Sequence, residues 1–264
     1  MEELVLVKLG GGVITDKARL ETPDLDAITR LAKEVHEAHV TGDLKLIIGH
    51  GGGSYPHRPA SEYCVHKGVT GKMSCKGISL VQDAASRLNR IVVSELLEAD
   101  ENAISFQPSA CMMTDAGLVS EGFIEPMRTA LSLDLVPVPY GDVVFDTKIK
   151  CSILSTERLL NYLAAQFSAR RVVIATKEDG VWEDFPARKT LIEEITPASF
   201  NEIRMHLRGS GDVDVTGGMF HKVEKMVELA EKTGAETIII NGNEPERLRD
   251  ALLGRKVVGT RVRP

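Results

Sequence analysis

Nothing in this sequence approaches the roughly 20 consecutive apolar residues that a membrane-crossing helix needs, so a spanning helix is excluded. The opening residues, MEELVLVKLGGG, place an acidic pair where a secretory leader would carry positive charge. A cytoplasmic location is therefore expected. There are four cysteines, at 64, 75, 111 and 151, with no C-x-x-C pair and no pair near a histidine at zinc-site spacing. They are read as buried thiols without function, and no residue set is read as a metal site. The chain also lacks a basic surplus: its net charge is −6, which argues against a general nucleic-acid binder. No internal repeat, low-complexity tract or Pro/Gly/Ser-rich linker divides its 264 residues. That leaves one large domain, or two joined lobes.

What is present is a regular alternation. Continuous β-branched runs followed by glycine or a polar turn read as buried parallel strands: LVLVKLG at the start, LKLIIGHGGG at 44–53, VPVPYGDVVF at 136–145, RVVIATKEDG at 171–180 and ETIIING at 236–242. Between them lie helical stretches. One opens with Thr22-Pro23 as N-cap and first-turn pair and carries Leu25, Ile28, Leu31, Ala32 and Val35 on one face. A second begins at GISLVQ near Gly77, and a third ends at Gly234 as a C-cap. Strands alternating with helices imply an α/β fold, a mainly parallel sheet and helices on both faces. The two halves are expected to meet near 141–150, and the basic, glycine-bearing stretch 58–77 is expected to be a flexible segment over a site.

Four elements with glycine or lysine fall at strand ends or helix starts, where open α/β sheets bind ligands. The first is Lys8 followed by Gly10, Gly11 and Gly12; bare glycines let amides approach phosphate oxygens and Lys8 adds a point charge, although the run alone reads equally as a tight strand-to-helix turn. It is not a Walker A loop, because no G-K-[ST] follows. Lys17 lies nine residues on, where an exposed lysine alone would mean only solubility. The second is GHGGGSYPH, in which Gly51, Gly52, Gly53 and Ser54 form an anion nest with His57 at its edge. The third is Tyr140-Gly141-Asp142, which by itself reads equally as a structural turn. The fourth pairs Lys177-Glu178-Asp179-Gly180 with Thr216-Gly217-Gly218, which leads into a helix carrying Lys222 one turn in.

Taken in order, VKLGGGVITDK, GHGGGSYPH, VPVPYGDVVFD, STERLLNYLA, KEDGVW, DVTGGMFHKVEKMVELA and ALLGRKVVGTRV resemble the amino acid kinase superfamily over nearly the whole chain. Within it, Lys17 in VITDK, His57, SFQPSA at 105–110 and STE at 155–157 make the chain most similar to the isopentenyl phosphate kinases. The resemblance implies an open αβα sandwich, a homodimer, no nucleic-acid or membrane partner, and ATP with Mg²⁺ held mainly by its phosphates. It implies an acceptor lobe over about 1–150 and a nucleotide lobe over 151–264. It also implies roles: Lys8, Gly10, Gly11, Gly12, Gly53, Asp179, Gly217 and Lys222 for the nucleotide, and Gly52, His57 and Gly141 for the acceptor. Lys17 would stabilise the transferring group and Asp142 would organise the lysines. Three departures from the family pattern stand out: Pro56 for a usual glycine, Gly12 for a frequent serine, and KEDG for the common DVDG.

An acceptor that is already a phosphate monoester needs no general base. Its difficulty is repulsion between two anions, which positive charge and positioning relieve. Ile78, Val81, Leu88, Ile91 and Met112 are candidate lining for an isoprenoid pocket, with core packing the equal alternative. Two other readings stay open: a kinase for another small acid such as fosfomycin, and a non-catalytic nucleotide sensor. Kinases of carboxylate or nucleotide acceptors lack the His57 arrangement.

Overall fold

A computed structural model describes residues 2–209 and 218–264. β1 (Glu3–Leu9) ends in a glycine turn that opens the short α1 (Gly11–Ile14), and a loop leads to α2 (Leu25–Thr41) and β2 (Leu44–His50). A second glycine turn opens α3 (His57–Glu62), and a 3-10 turn at Val65–Lys67 precedes the long α4 (Lys72–Glu98). Next come β3 (Ala103–Phe106), α5 (Pro108–Cys111), β4 (Met112–Asp115), β5 (Leu118–Gly122), α6 (Glu125–Ser132) and β6 (Val136–Pro139). The hairpin of β7 (Asp142–Asp146) and β8 (Lys150–Leu154) feeds α7 (Thr156–Phe167). The chain then forms β9 (Arg171–Thr176), β10 (Val181–Trp182), β11 (Leu191–Ile192), β12 (Glu194–Ile195) and α8 (Pro197–Gly209). It closes with α9 (Gly218–Thr233), β13 (Glu236–Asn241), α10 (Arg247–Leu252) and β14 (Thr260–Val262).

The central sheet has the order β12-β14-β13-β9-β1-β2, with β13, β9, β1 and β2 all parallel and β14 antiparallel to β13. A single parallel bridge, His50–Tyr140, sets β6 beside β2, and β3 pairs parallel with β6. The strands read as unbroken apolar runs because both faces are covered. Val5, Val7 and Leu9 pack with Ile28, Leu31 and Val35 of α2 and Leu88, Val92 and Leu96 of α4. Leu6 points the other way, to Leu159, Leu160 and Leu163 of α7 and Val223 and Met226 of α9. Each such buried side chain contributes roughly 1.5–3 kcal/mol, so two dry layers hold the strand ends in register. The result is the expected open αβα sandwich with a mainly parallel sheet. β1 pairs with both β2 and β9, so this sheet runs across the 150/151 division. A second sheet, β5-β4-β7-β8, packs beside it.

The structure corrects several local expectations. Residues 136–145 are not one strand: Gly141 N donates to His50 O at 3.1 Å, and the chain passes there from β6 into β7 of the second sheet. Asp24, not Thr22-Pro23, caps α2; its carboxylate accepts from Ala27 N at 3.0 Å while Pro23 bridges Thr15. Leu25, just inside the helix, is 50% exposed. The stretch 58–77 is largely helical. Ser74 Oγ accepts from Thr70 N and Gly71 N, which starts α4 at Lys72 rather than at Gly77. Gly77 is then interior, and a Cβ there would lie 2.3 Å from Tyr63 Cβ, so α4 needs glycine to approach the preceding segment. Of the cysteines only Cys151 is buried; Cys75 is exposed and Cys64 and Cys111 are intermediate. Gly234 caps α9 as expected, with φ +72° and its amide donating to Ala230 O.

Candidate active site

The parallel strands all deliver their carboxyl ends to one edge of the sheet. There the two glycine turns meet backbone to backbone. Gly10 N donates to Ala175 O and Gly51 N to Leu9 O, both at 2.9 Å, which ties each turn to a neighbouring strand. A Cβ on Gly11 would lie 2.3 Å from Gly53 N, and one on Gly53, at φ +55°, would lie 2.1 Å from Thr15 Oγ1. Only glycine fits either place. Thr15 Oγ1 donates to Gly11 O at 2.6 Å and accepts from Ser54 N at 3.0 Å, stitching the turns together. The amides of Gly52 and Gly53 have no acceptor among the described residues. The Pro56 ring rests on Gly52, where a Cβ would lie 2.3 Å from Cγ.

A buried polar chain supports the second turn from behind. His50 is fully buried; its Nδ1–H donates to Gly51 O at 3.2 Å and its Nε2 accepts from Asn89 Nδ2 at 3.1 Å. Asn89 also donates to Val138 O and accepts from Ser105 Oγ, so every member is satisfied. Burial lowers His50 to about 4, which keeps the ring neutral and the tautomer fixed. Tyr140 stacks on it with ring centroids 5.5 Å apart.

Strand alternation sends Lys8 to the same face as Leu6, toward the start of α7. There it is 8% exposed and forms an ion pair with Glu157. Burial lowers the Lys8 pKa; Glu157 opposes that, while Lys222 and Lys17 lower it further. Burial would raise Glu157, but Lys8 and Lys222 outweigh it and leave the carboxylate below its ordinary range. Lys17 and Lys222 thus each lie close enough to act on Lys8. Partial desolvation, then Lys17, lowers His57 below its usual value. Lys17 also reaches over the first glycine turn: a Cβ on Gly12 would lie 3.0 Å from its Cε. Beside Lys17 and Gly53 opens a cleft of about 450 Å³, lined also by His57, Arg19, Leu20 and Arg58.

Other predicted residues sit at the margin. Gly141 N is bound to His50 O, and a Cβ there would lie 3.0 Å from Thr156 Oγ1. Asp142 does not organise the lysines: its carboxylate accepts from Ser109 N and Val143 N, and Glu157 holds Lys8 instead. Burial is strong enough to raise Asp142 to about 6 against those hydrogen bonds. Asp179, in the turn after β9, pairs with Arg247. Gly217 lies outside the described residues. Ile78, Val81, Leu88, Ile91 and Met112 are distributed over three separate core clusters, so they do not line one pocket. Sequence reasoning missed Glu157, Thr15, Arg19 and Arg58. Glu157 follows the N-cap Ser155 and reads locally as an ordinary acidic first-turn residue. Its depth depends on the sheet behind it.

An open αβα sandwich with two apposed glycine turns and a crowd of lysines at the strand ends defines a phosphate-handling α/β protein of the kinase type. The amino acid kinase family matches residues 3–241, and the chain belongs to that family. It is 36% identical to the isopentenyl phosphate kinase of Methanothermobacter thermautotrophicus, with 98% of each chain covered. It is 32% identical to that of Methanocaldococcus jannaschii, again over 98% of both. A solved isopentenyl phosphate kinase superposes with a TM-score of 0.84 at 34% identity, covering 98% of this chain and 100% of its own.

Proposed function

We propose that the chain transfers the γ-phosphoryl group of ATP to isopentenyl phosphate, giving isopentenyl diphosphate and ADP. The observation that carries this reading is that Lys17 and Lys222 lie close enough to act on Lys8 beside two apposed glycine turns, where the amides of Gly52 and Gly53 have no acceptor among the described residues. Named relatives of nearly equal length support the acceptor.

In this reading Lys8 and the amides of the first turn hold the nucleotide phosphates, and Lys222 adds its charge from α9. Gly52, Gly53 and His57 hold the acceptor phosphate, and Lys17 lies between, where charge builds on the transferring group. The acceptor oxygen is ionised at neutral pH, so the protein has only to bring two anions together in line and neutralise their repulsion. Partial burial and then Lys17 hold His57 below its ordinary pKa, and an arriving phosphate favours its protonated form. Glu157 keeps Lys8 charged and aimed. No group of three or more His, Cys, Asp or Glu side chains among the described residues is arranged to hold a metal. Magnesium would be carried mainly by the nucleotide's own phosphates, supplying further neutralisation of their charge.

The five-carbon tail needs an apolar surface near His57. Ala60, on the same helix as His57, packs against a small buried cluster of Val65, Val81, Val143 and Cys151, the apolar core nearest to it in the chain. A homodimer belongs to the same proposal; β3 is an outer strand with Ile104 40% exposed, which suits pairing with a second copy. An ADP-release assay across isopentenyl phosphate, dimethylallyl phosphate, fosfomycin and UMP tests the reading. Preference for isopentenyl phosphate is expected. Turnover with fosfomycin alone would transfer the function to another small acid, and ATP binding without any turnover would favour a sensor.

A further inference from the structure

The structure assigns Lys177 a direct contact with the terminal phosphates of the nucleotide, as a fourth ammonium group at the transfer centre; this rests on the kinase reading above. Lys177 follows β9, whose end is pinned on both sides. Gly242 N donates to Thr176 O at 2.8 Å, and Thr176 Oγ1 accepts from Glu178 N at 3.1 Å. That turn directs Lys177 over the first glycine turn. A Cβ built on Gly12 would lie 3.4 Å from Lys177 Cε and 3.0 Å from Lys17 Cε, so two lysine stems from separate loops meet above one glycine. The bare α-carbon of Gly12 is what leaves room for both.

An exposed lysine is ordinarily a solubilising group, and two of them ordinarily keep apart because like charges repel. Here the neighbouring acids do not relieve the repulsion. Glu178 is taken by Arg188 and by the Trp182 indole, and Asp179 by Arg247. No ion pair of Lys177 or Lys17 occurs among the described residues. Among the described residues, Lys17 and Lys222 act on Lys8, whose partner is Glu157, and Lys177 meets Lys17 above Gly12, at this edge of a protein whose net charge is −6. A local surplus of cations that close-packed has a purpose only if a polyanion completes it. A nucleoside triphosphate carries enough negative charge to do so, whereas a monophosphate does not extend that far.

The test uses the full chain with Lys177→Met and Lys177→Arg, and Lys17→Ala alongside. Calorimetry with a non-hydrolysable ATP analogue and with AMP reads the contact directly. Lys177→Met should weaken the analogue about tenfold or more, the scale of one charge-assisted hydrogen bond. It should leave AMP within about twofold, and Lys177→Arg should restore most of the loss. Unchanged analogue affinity together with unchanged kcat/KM for ATP in Lys177→Met would overturn the assignment, as would equal losses for AMP and the analogue. If the wild type transfers phosphate and Lys17→Ala is crippled while Lys177→Met behaves as wild type, only this inference fails. A wild type that binds no analogue would overturn both this inference and the kinase reading.

Discussion

Replacing Glu157 with glutamine would separate charge from shape at the centre of the site. Gln keeps the length of the side chain and one hydrogen-bond acceptor for Lys8, but leaves the buried ammonium without its counter-charge. Breaking a buried ion pair by removing one partner costs about 3–5 kcal/mol. The Glu157 side chain is 24% exposed, so solvent screening brings the expected loss down to about 2–3 kcal/mol. The pH dependence is more diagnostic. Burial already holds Lys8 below its ordinary value, and Glu157 is the main force raising it. Glu157→Gln therefore lowers the Lys8 pKa further, and the alkaline limb of kcat moves to lower pH. A lysine whose folded pKa lies below its unfolded one costs the native state most below the folded value, and the cost fades as pH rises toward the unfolded value. The stability deficit of Glu157→Gln should accordingly be larger at pH 7 than near pH 10. It should also shrink with a saturating ATP analogue, whose phosphates supply the missing negative charge. Urea unfolding at the two pH values, with and without analogue, and a pH–rate profile measure all of this. A urea midpoint and an alkaline limb both unchanged from wild type would refute the reasoning.

Lys17→Ala and Lys222→Ala should each lower turnover by about 100-fold or more, as loss of a transition-state charge contact does; near-normal kcat in both purified variants would remove them from the mechanism. Gly53→Ala forces a Cβ to 2.1 Å from Thr15 Oγ1 at φ +55°, so a lower melting temperature and loss of turnover are expected, and a fully active, equally stable variant would contradict the packing of the two turns. Asp142 has a folded pKa of about 6 against an ordinary 3.8. Its ionisation thus penalises the native state increasingly from about pH 4 to pH 6 and constantly above that. Relative to wild type, Asp142→Asn should gain melting temperature between pH 4.5 and 7.5; a pH-independent difference would count against the raised value.

Much of this was readable from local pattern. Apolar runs such as LVLVKLG and LKLIIG became β1 and β2 because two-sided burial leaves strands no alternation to display. The glycine turns were visible because their amide geometry is written into consecutive residues. The break at Tyr140-Gly141 was not, since each half of 136–145 is equally apolar and only the bridge from His50 ends the first strand. The start of α4 was hidden in a Ser74 cap with a glycine at the N-cap, where propensity expects a loop.

The chain alone determined its layered α/β class, the order of its phosphate-facing turns and the lysines beside them, because those properties depend on neighbours a few residues apart. Only the tertiary structure decided which acid serves Lys8. Asp142 and Glu157 are similar carboxylates near strand ends, yet Lys8 lies 149 positions from its partner. The sheet register and the packing of α7 bring that pair together, while Asp142 is turned into backbone amides. The same holds for Lys177, a solvated lysine by composition. Its stem comes to Gly12 because β9 lies beside β1 and the glycine leaves space for it.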